Sequence, residues 1–176
     1  MGVLSSKTWI LLKKIFCLST IFFLFIVMNS CNFQRKSEID LIFEQTKKIE
    51  ILAYLDRNQW KKEDNEKYYS PVNYIKDKKI EINEKYLKNK IVLNSNQINK
   101  LKEELMNSKV ENWEVACYDP RHAIIFYDNK NEVFGYVELC FDCNGSYYSP
   151  NMEIISKPAL RQEKLFKEFG ITYFNE

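Results

Sequence analysis

The stretch from Cys117 to Cys143, CYDPRHAIIFYDNKNEVFGYVELCFDC, limits what this chain can fold into more than any other. Ala123–Tyr127 and Val133–Val137, the latter continuing to Leu139, are rich in β-branched and aromatic residues that suit a pleated, half-buried surface. Asp128–Glu132 between them is short, polar and made of residues that tolerate turn geometry. The pattern predicts a β-hairpin, with Tyr127 and Val133 ending its strands and Asn129–Asn131 at an exposed tip. Two registers fit. A three-residue loop pairs Asp128 with Glu132, and a four-residue loop pairs Asp128 with Val133. Side chains alternate faces, so the choice decides which groups meet. The first register sets Cys117 opposite Cys143 and places His122 with Cys140. The second places Cys117 with Cys140 and His122 with Cys143. Pro120 lacks a ladder donor and marks Asp119–Arg121 as a place where the alternation breaks.

The open end of this hairpin gathers three cysteines and the single histidine of the chain. Three readings of Cys117, His122, Cys140 and Cys143 compete: a disulfide, a metal centre and plain burial, since cysteine is among the most buried residue types. Cys140-Phe-Asp-Cys143 before Asn144-Gly145 resembles a zinc knuckle, which implies zinc as the ion. His122 stands five positions from Cys117, about 16 Å if extended, so a shared ion needs a bend at Pro120. An oxidising compartment favours the disulfide. The expected bridge is Cys117–Cys143, which joins two strands already brought together, with Cys140 left as a buried thiol. The same segment resembles stretches of uncharacterised bacterial proteins, a likeness that implies no activity.

Enzymatic readings are weaker. A thioredoxin-like CxxC opens a helix, whereas here Asn144-Gly145 follows. Covalent haem attachment needs a histidine where Asn144 stands. A Cys–His pair using His122 has no evident third member, and four glycines supply no phosphate-cradling loop.

The N-terminus carries its own signal. Lys7, Lys13 and Lys14 precede an apolar run from Ile15 to Met28, and no acidic residue occurs before Glu38. That run suits a secretory h-region better than a membrane span of about 20 residues. Met28-Asn29-Ser30-Cys31 resembles the lipobox of bacterial lipoproteins. The resemblance implies cleavage before Cys31, lipidation of its thiol with palmitate among the acyl chains, and a domain held on the exported side of a bacterial membrane. The chain carries a net +2, and this segment contributes three lysines and no acid. The remainder is therefore slightly acidic, and the basic pI argues nothing for nucleic-acid binding.

The expected organisation is a signal peptide over residues 1–30, a tether over 31–36 and one α+β domain over 37–176. Ser37 is placed to cap a brief helix over Ile39–Phe43. Ile49–Leu55, Lys79–Ile82 and Lys90–Leu93 read as strands. Asp56–Lys67 reads as a solvated loop around Trp60, and Tyr68, Tyr69 and Tyr74 as an aromatic cap over the core. Asn94 with Gln97 forms a capping-box variant opening a helix with Ile98, Leu101 and Leu105 on one stripe. Trp113–Cys117 extends the first hairpin strand, and Ser146–Asn151 reads as an exposed loop. Ser156, with Pro158 in the first turn, starts a last helix carrying Leu165, Phe166 and Phe169 and ending at Gly170. Irregular alternation of strands with two or three helices predicts a small, mostly antiparallel sheet with the hairpin at its centre. The functional expectation is a membrane-anchored, non-enzymatic binding or structural domain that uses no cofactor. The alternative is a metal- or thiol-dependent protein working through Cys117, His122, Cys140 and Cys143.

Overall fold

Residues 38–56, 59–60, 75–107, 119–143, 145–156 and 162–174 are described by a computed structural model. Helix α1 (38–45) leads into β1 (Lys48–Tyr54), whose KIEILAY sequence is buried along nearly its whole length. A two-stranded ribbon follows, β2 (Ile75–Lys76) and β3 (Lys79–Ile80), then β4 (Leu87–Val92) and helix α2 (Ser95–Asn107). The hairpin strands are β5 (His122–Tyr127) and β6 (Val133–Cys140), followed by β7 (Gly145–Tyr148). A 3₁₀ turn over Pro150–Met152, a single helical turn α3 (Glu153–Ser156) and helix α4 (Glu163–Phe169) close the chain. The class is α+β, with an antiparallel five-stranded sheet in the order β4-β1-β5-β6-β7.

The hairpin lies where the sequence places it, and its register combines both expected options. At the tip Asp128 donates its backbone N–H to the Glu132 carbonyl (3.0 Å), and Tyr127 faces Val133. A bulge then shifts the pairing, so Phe126 faces Gly135 and His122 faces Leu139. Phe134 is the extra residue on β6, and its ring packs edge-on to Phe126, with centroids 6.3 Å apart. Beyond the bulge the alternation is that of the four-residue register. His122 therefore shares a face with Leu139 and Phe141.

The two faces of the sheet bury different things. Ile49, Ile51, Ala53, Ile124, Phe126, Val137 and Leu139 meet the helices through Leu101, Leu105, Leu165, Phe166 and Phe169. Leu52, Tyr54, Ala123, Ile125, Tyr127 and Val133 form a second cluster with Trp60, Ile75 and Ile80. Trp60 stacks on Tyr86 (5.1 Å) and donates its indole N–H to the Leu55 carbonyl (2.9 Å).

The capping box forms as read: the Asn94 side chain accepts from Gln97 N (3.0 Å), and Gln97 Oε1 accepts from Asn94 N (2.9 Å). Gly170 ends α4 in the left-handed region (φ 102°), with Ile171 N donating to Phe166 O. Three expectations need correction. Gly145–Tyr148 is a strand paired with β6, not a loop, because the hydrogen-bonding edge of β6 recruits it. Ser156 closes α3 and does not cap the last helix, which begins after Gln162. The strand read over Lys79–Ile82 stops at Ile80, because its partner among the described residues is the two-residue β2. Ser37, Tyr68–Tyr74, Trp113–Cys117 and Pro158 lie outside the described residues.

Candidate functional site

At the open end of the hairpin, β5 and β6 run out beside α4 and the C-terminal segment. The cavity there measures about 180 Å³. His122 and Arg121 enter it from the start of β5, Cys140–Asp142 from the β6–β7 turn, Glu163 and Lys167 from α4, and Phe174 from the C-terminal segment. Small-molecule sites run to about 300–1,000 Å³, so this space suits one side chain or a small charged group.

His122 is 2% exposed and boxed by rings, with Phe141 at 4.8 Å, Phe174 at 5.0 Å and Phe166 at 6.0 Å between centroids. Its Nε2 lies 2.8 Å from the Tyr173 carbonyl. A carbonyl only accepts, so Nε2 carries the proton and Nδ1 is bare in the neutral ring. Burial among these rings lowers its pKa to about 4; the neighbouring Arg121 cation acts in the same direction, and the Tyr173 hydrogen bond opposes both. The ring is neutral at pH 7.

Arg121 is fixed by its backbone, which accepts from Tyr54 N (2.9 Å) and donates to Leu139 O (3.3 Å). Its guanidinium faces three acids: Asp142 at 3.3 Å, Asp56 at 3.5 Å and Asp119 at 3.6 Å. Among the described residues its Nε is buried without a hydrogen-bond partner. On α4, Lys167 pairs with Glu163 one turn earlier and lies over the Phe174 ring at 4.9 Å.

The sulfurs differ from expectation. Cys140 and Cys143 form a disulfide, with Cα atoms 5.5 Å apart. Cys143 is thereby engaged, so the expected Cys117–Cys143 bridge is not the one formed; Cys117 lies outside the described residues. The physical reason is the tight β6–β7 turn, which brings Cys140 and Cys143 within bonding reach three positions apart. Two sulfurs joined to each other offer no thiolates to an ion, and among the described residues no group of three His, Cys, Asp or Glu is placed to hold a metal. Of the expected set, His122 and Cys140 line the cavity, Cys140 and Cys143 are joined to each other, and Cys117 lies outside the described residues. Closing so short a loop stabilises a fold by about 2 kcal/mol in the chain-entropy account, against about 3 for a loop of fifteen residues.

A second polar cluster sits on the opposite face. Glu50, 3% exposed, accepts from the Tyr127 hydroxyl (2.5 Å) and pairs with Lys48 (3.2 Å) and Lys90 (3.3 Å). Burial raises its pKa, but the Tyr127 hydrogen bond and the two lysines outweigh that and hold it below the usual carboxylate value. Glu138, fully buried, accepts from the Tyr54 hydroxyl (2.9 Å).

Sequence reasoning singled out His122, Cys140 and Cys143 but missed Arg121, Asp142, Glu163, Lys167 and Phe174. Arg121 and Asp142 stand beside flagged residues, and a charged residue next to each was the available signal. Nothing local announces Phe174, which arrives from far along the chain. Compared with known protein families, curated proteins and solved structures, the chain matches none.

Proposed function

We propose that this chain is a membrane-anchored lipoprotein of the bacterial envelope whose folded domain binds a partner, and that the cavity at the open end of the hairpin receives one side chain of that partner. The anchor rests on Met28-Asn29-Ser30-Cys31 behind an apolar run of signal length. The binding role rests on the cavity itself, where aromatic walls and groups of both signs converge in about 180 Å³. Binding fits the chemistry better than catalysis does. The one histidine has a pKa of about 4, far from the near-neutral value that suits a general base at pH 7, and its Nε2 is committed to a backbone carbonyl.

The anchor is tested by Cys31→Ser. The expected result is loss of acyl labelling, with the protein either released from membranes or left as uncut precursor. A variant processed and fractionated like the parent overturns the reading. The metal alternative is tested by metal analysis of the protein purified under reducing conditions. Stoichiometric zinc would replace the binding reading with a metal-dependent one.

A further inference from the structure

Beyond the binding role, we propose that Cys140–Cys143 is a thiol–disulfide exchange site for a dithiol, in which Cys143 is the sulfur attacked and Cys140 the leaving thiolate. As a staple the bridge contributes less than a disulfide closing a long loop would. It spans a sequence separation of three, and the β6–β7 ladder already closes the same turn by pairing Cys140 with Gly145. What the bridge does hold is the pair of residues between its ends. Phe141 packs on His122, Phe166 and Phe174, and Asp142 pairs with Arg121. The disulfide therefore fixes one wall of the cavity.

The two sulfurs are not equivalent. Cys140 is 5% exposed, whereas Cys143 is only partly buried. The Cys143 backbone N–H donates to Cys140 Sγ at 3.3 Å. A donor N–H stabilises developing negative charge on sulfur. A better-stabilised thiolate leaves faster, and exchange follows access to the attacked sulfur.

One thiolate of the dithiol attacks Cys143 Sγ. The S–S bond breaks, its electron pair passes to Cys140 Sγ, and a mixed disulfide forms on Cys143. The second thiol of the donor, as thiolate, then attacks its own sulfur in that mixed disulfide and releases Cys143. The donor ends as a cyclic disulfide. Both cysteines end as thiols, taking up the two protons the donor gave up. Reduction frees Phe141 and Asp142 from the clip.

The test uses the full chain in detergent without denaturant. After treatment with dithiothreitol and quenching with an alkylating reagent, the peptide carrying both cysteines is expected to be doubly labelled, and oxidised glutathione is expected to restore the bridge. A peptide left unlabelled until denaturant is added would make the bridge a closed structural one and overturn the proposal. The sulfur roles are read by trapping: the oxidised protein is treated with glutathione, a monothiol, and quenched by alkylation. Peptide mass spectrometry should find glutathione on Cys143 and the alkyl label on Cys140. Glutathione on Cys140, or on both sulfurs equally, overturns the assignment. The chain has one histidine, so its ring C–H resonance is an isolated reporter of Phe141. A shift on reduction is expected, and an unmoved resonance overturns release of the wall. None of these failures touches the anchor or the binding reading, which the Cys31→Ser fractionation tests separately.

Discussion

Protonating His122 places a charge among three aromatic rings, and that cost appears as pH-dependent stability. Its pKa falls from 6.5 when solvated to about 4 in the fold. The stability gained by keeping the ring neutral is complete above pH 6.5 and is lost as pH falls toward 4, at most about 3 kcal/mol. Glu50 has the opposite charge but the same sign of effect. Its folded pKa lies below 4.5, so its contribution is present above 4.5 and is lost at more acid pH. Urea midpoints are therefore expected to drop between pH 6.5 and 4 through His122, with a further loss at more acid pH through Glu50. A midpoint flat down to pH 4.5 contradicts the burial of His122. Gly135 gives a second residue-scale prediction. A Cβ there would lie 1.9 Å from Met152 Cε and 2.8 Å from Met152 Cγ, so Gly135→Ala should cost about 1–3 kcal/mol in denaturant unfolding. At this scale the sequence disclosed which residues were unusual but not what they touch. His122 drew attention as the single histidine, whereas its acceptor Tyr173 lies 51 positions away. Glu50 fits the solvent side of an alternating strand, and only the presence of a second core above that side explains its burial.

Elements that carry their own instructions were the legible ones. Asn94 and Gln97 satisfy each other across three positions, so the start of α2 could be read without its surroundings. Asn94→Ala should lower stability by about 1 kcal/mol, measured as a shift in urea midpoint at unchanged m-value. The hairpin tip is similarly local. Asp128 Oδ1 accepts from Lys130 N (2.8 Å) and Glu132 N (3.0 Å), and Asn131 takes a left-handed φ of 61°. Asp128→Ala should cost on the order of 1 kcal/mol, and Asn131→Gly should restore part of that loss by easing the left-handed turn. Elements instructed by their neighbours were illegible. The sequence Gly-Ser-Tyr-Tyr of β7 has no strand pattern of its own and is ordered by the edge of β6. The 3₁₀ turn after it is fixed by Met152 passing beneath Gly135. The bulge was hidden for a related reason. Each candidate register left apolar residues on both faces, and the molecule resolves the tie by using one register at the tip and the other along the strands.

For the molecule as a whole, the α+β class followed from the irregular alternation of short strands with helices, but the strand order did not, because β1 finds its neighbours far along the chain. It lies between β4 and β5, which begin at Leu87 and His122. A fragment ending at Asn107 retains β1, β4 and α2 but lacks β5, and it should show neither a cooperative unfolding transition nor protected β1 amides in hydrogen exchange. A folded fragment would mean that the β1–β4 pair suffices. This placement also has a chronology. A chain that emerges N-terminus first presents KIEILAY with both of its backbone edges vacant and both of its faces uncovered. Synthesis proceeds at about 5–20 residues per second, so the strand waits seconds for β5. Until then it is a pairing template for any other extended chain. Until β5 is made, β4 can claim one edge of β1 only, so the second edge of this interior strand is the last to be covered.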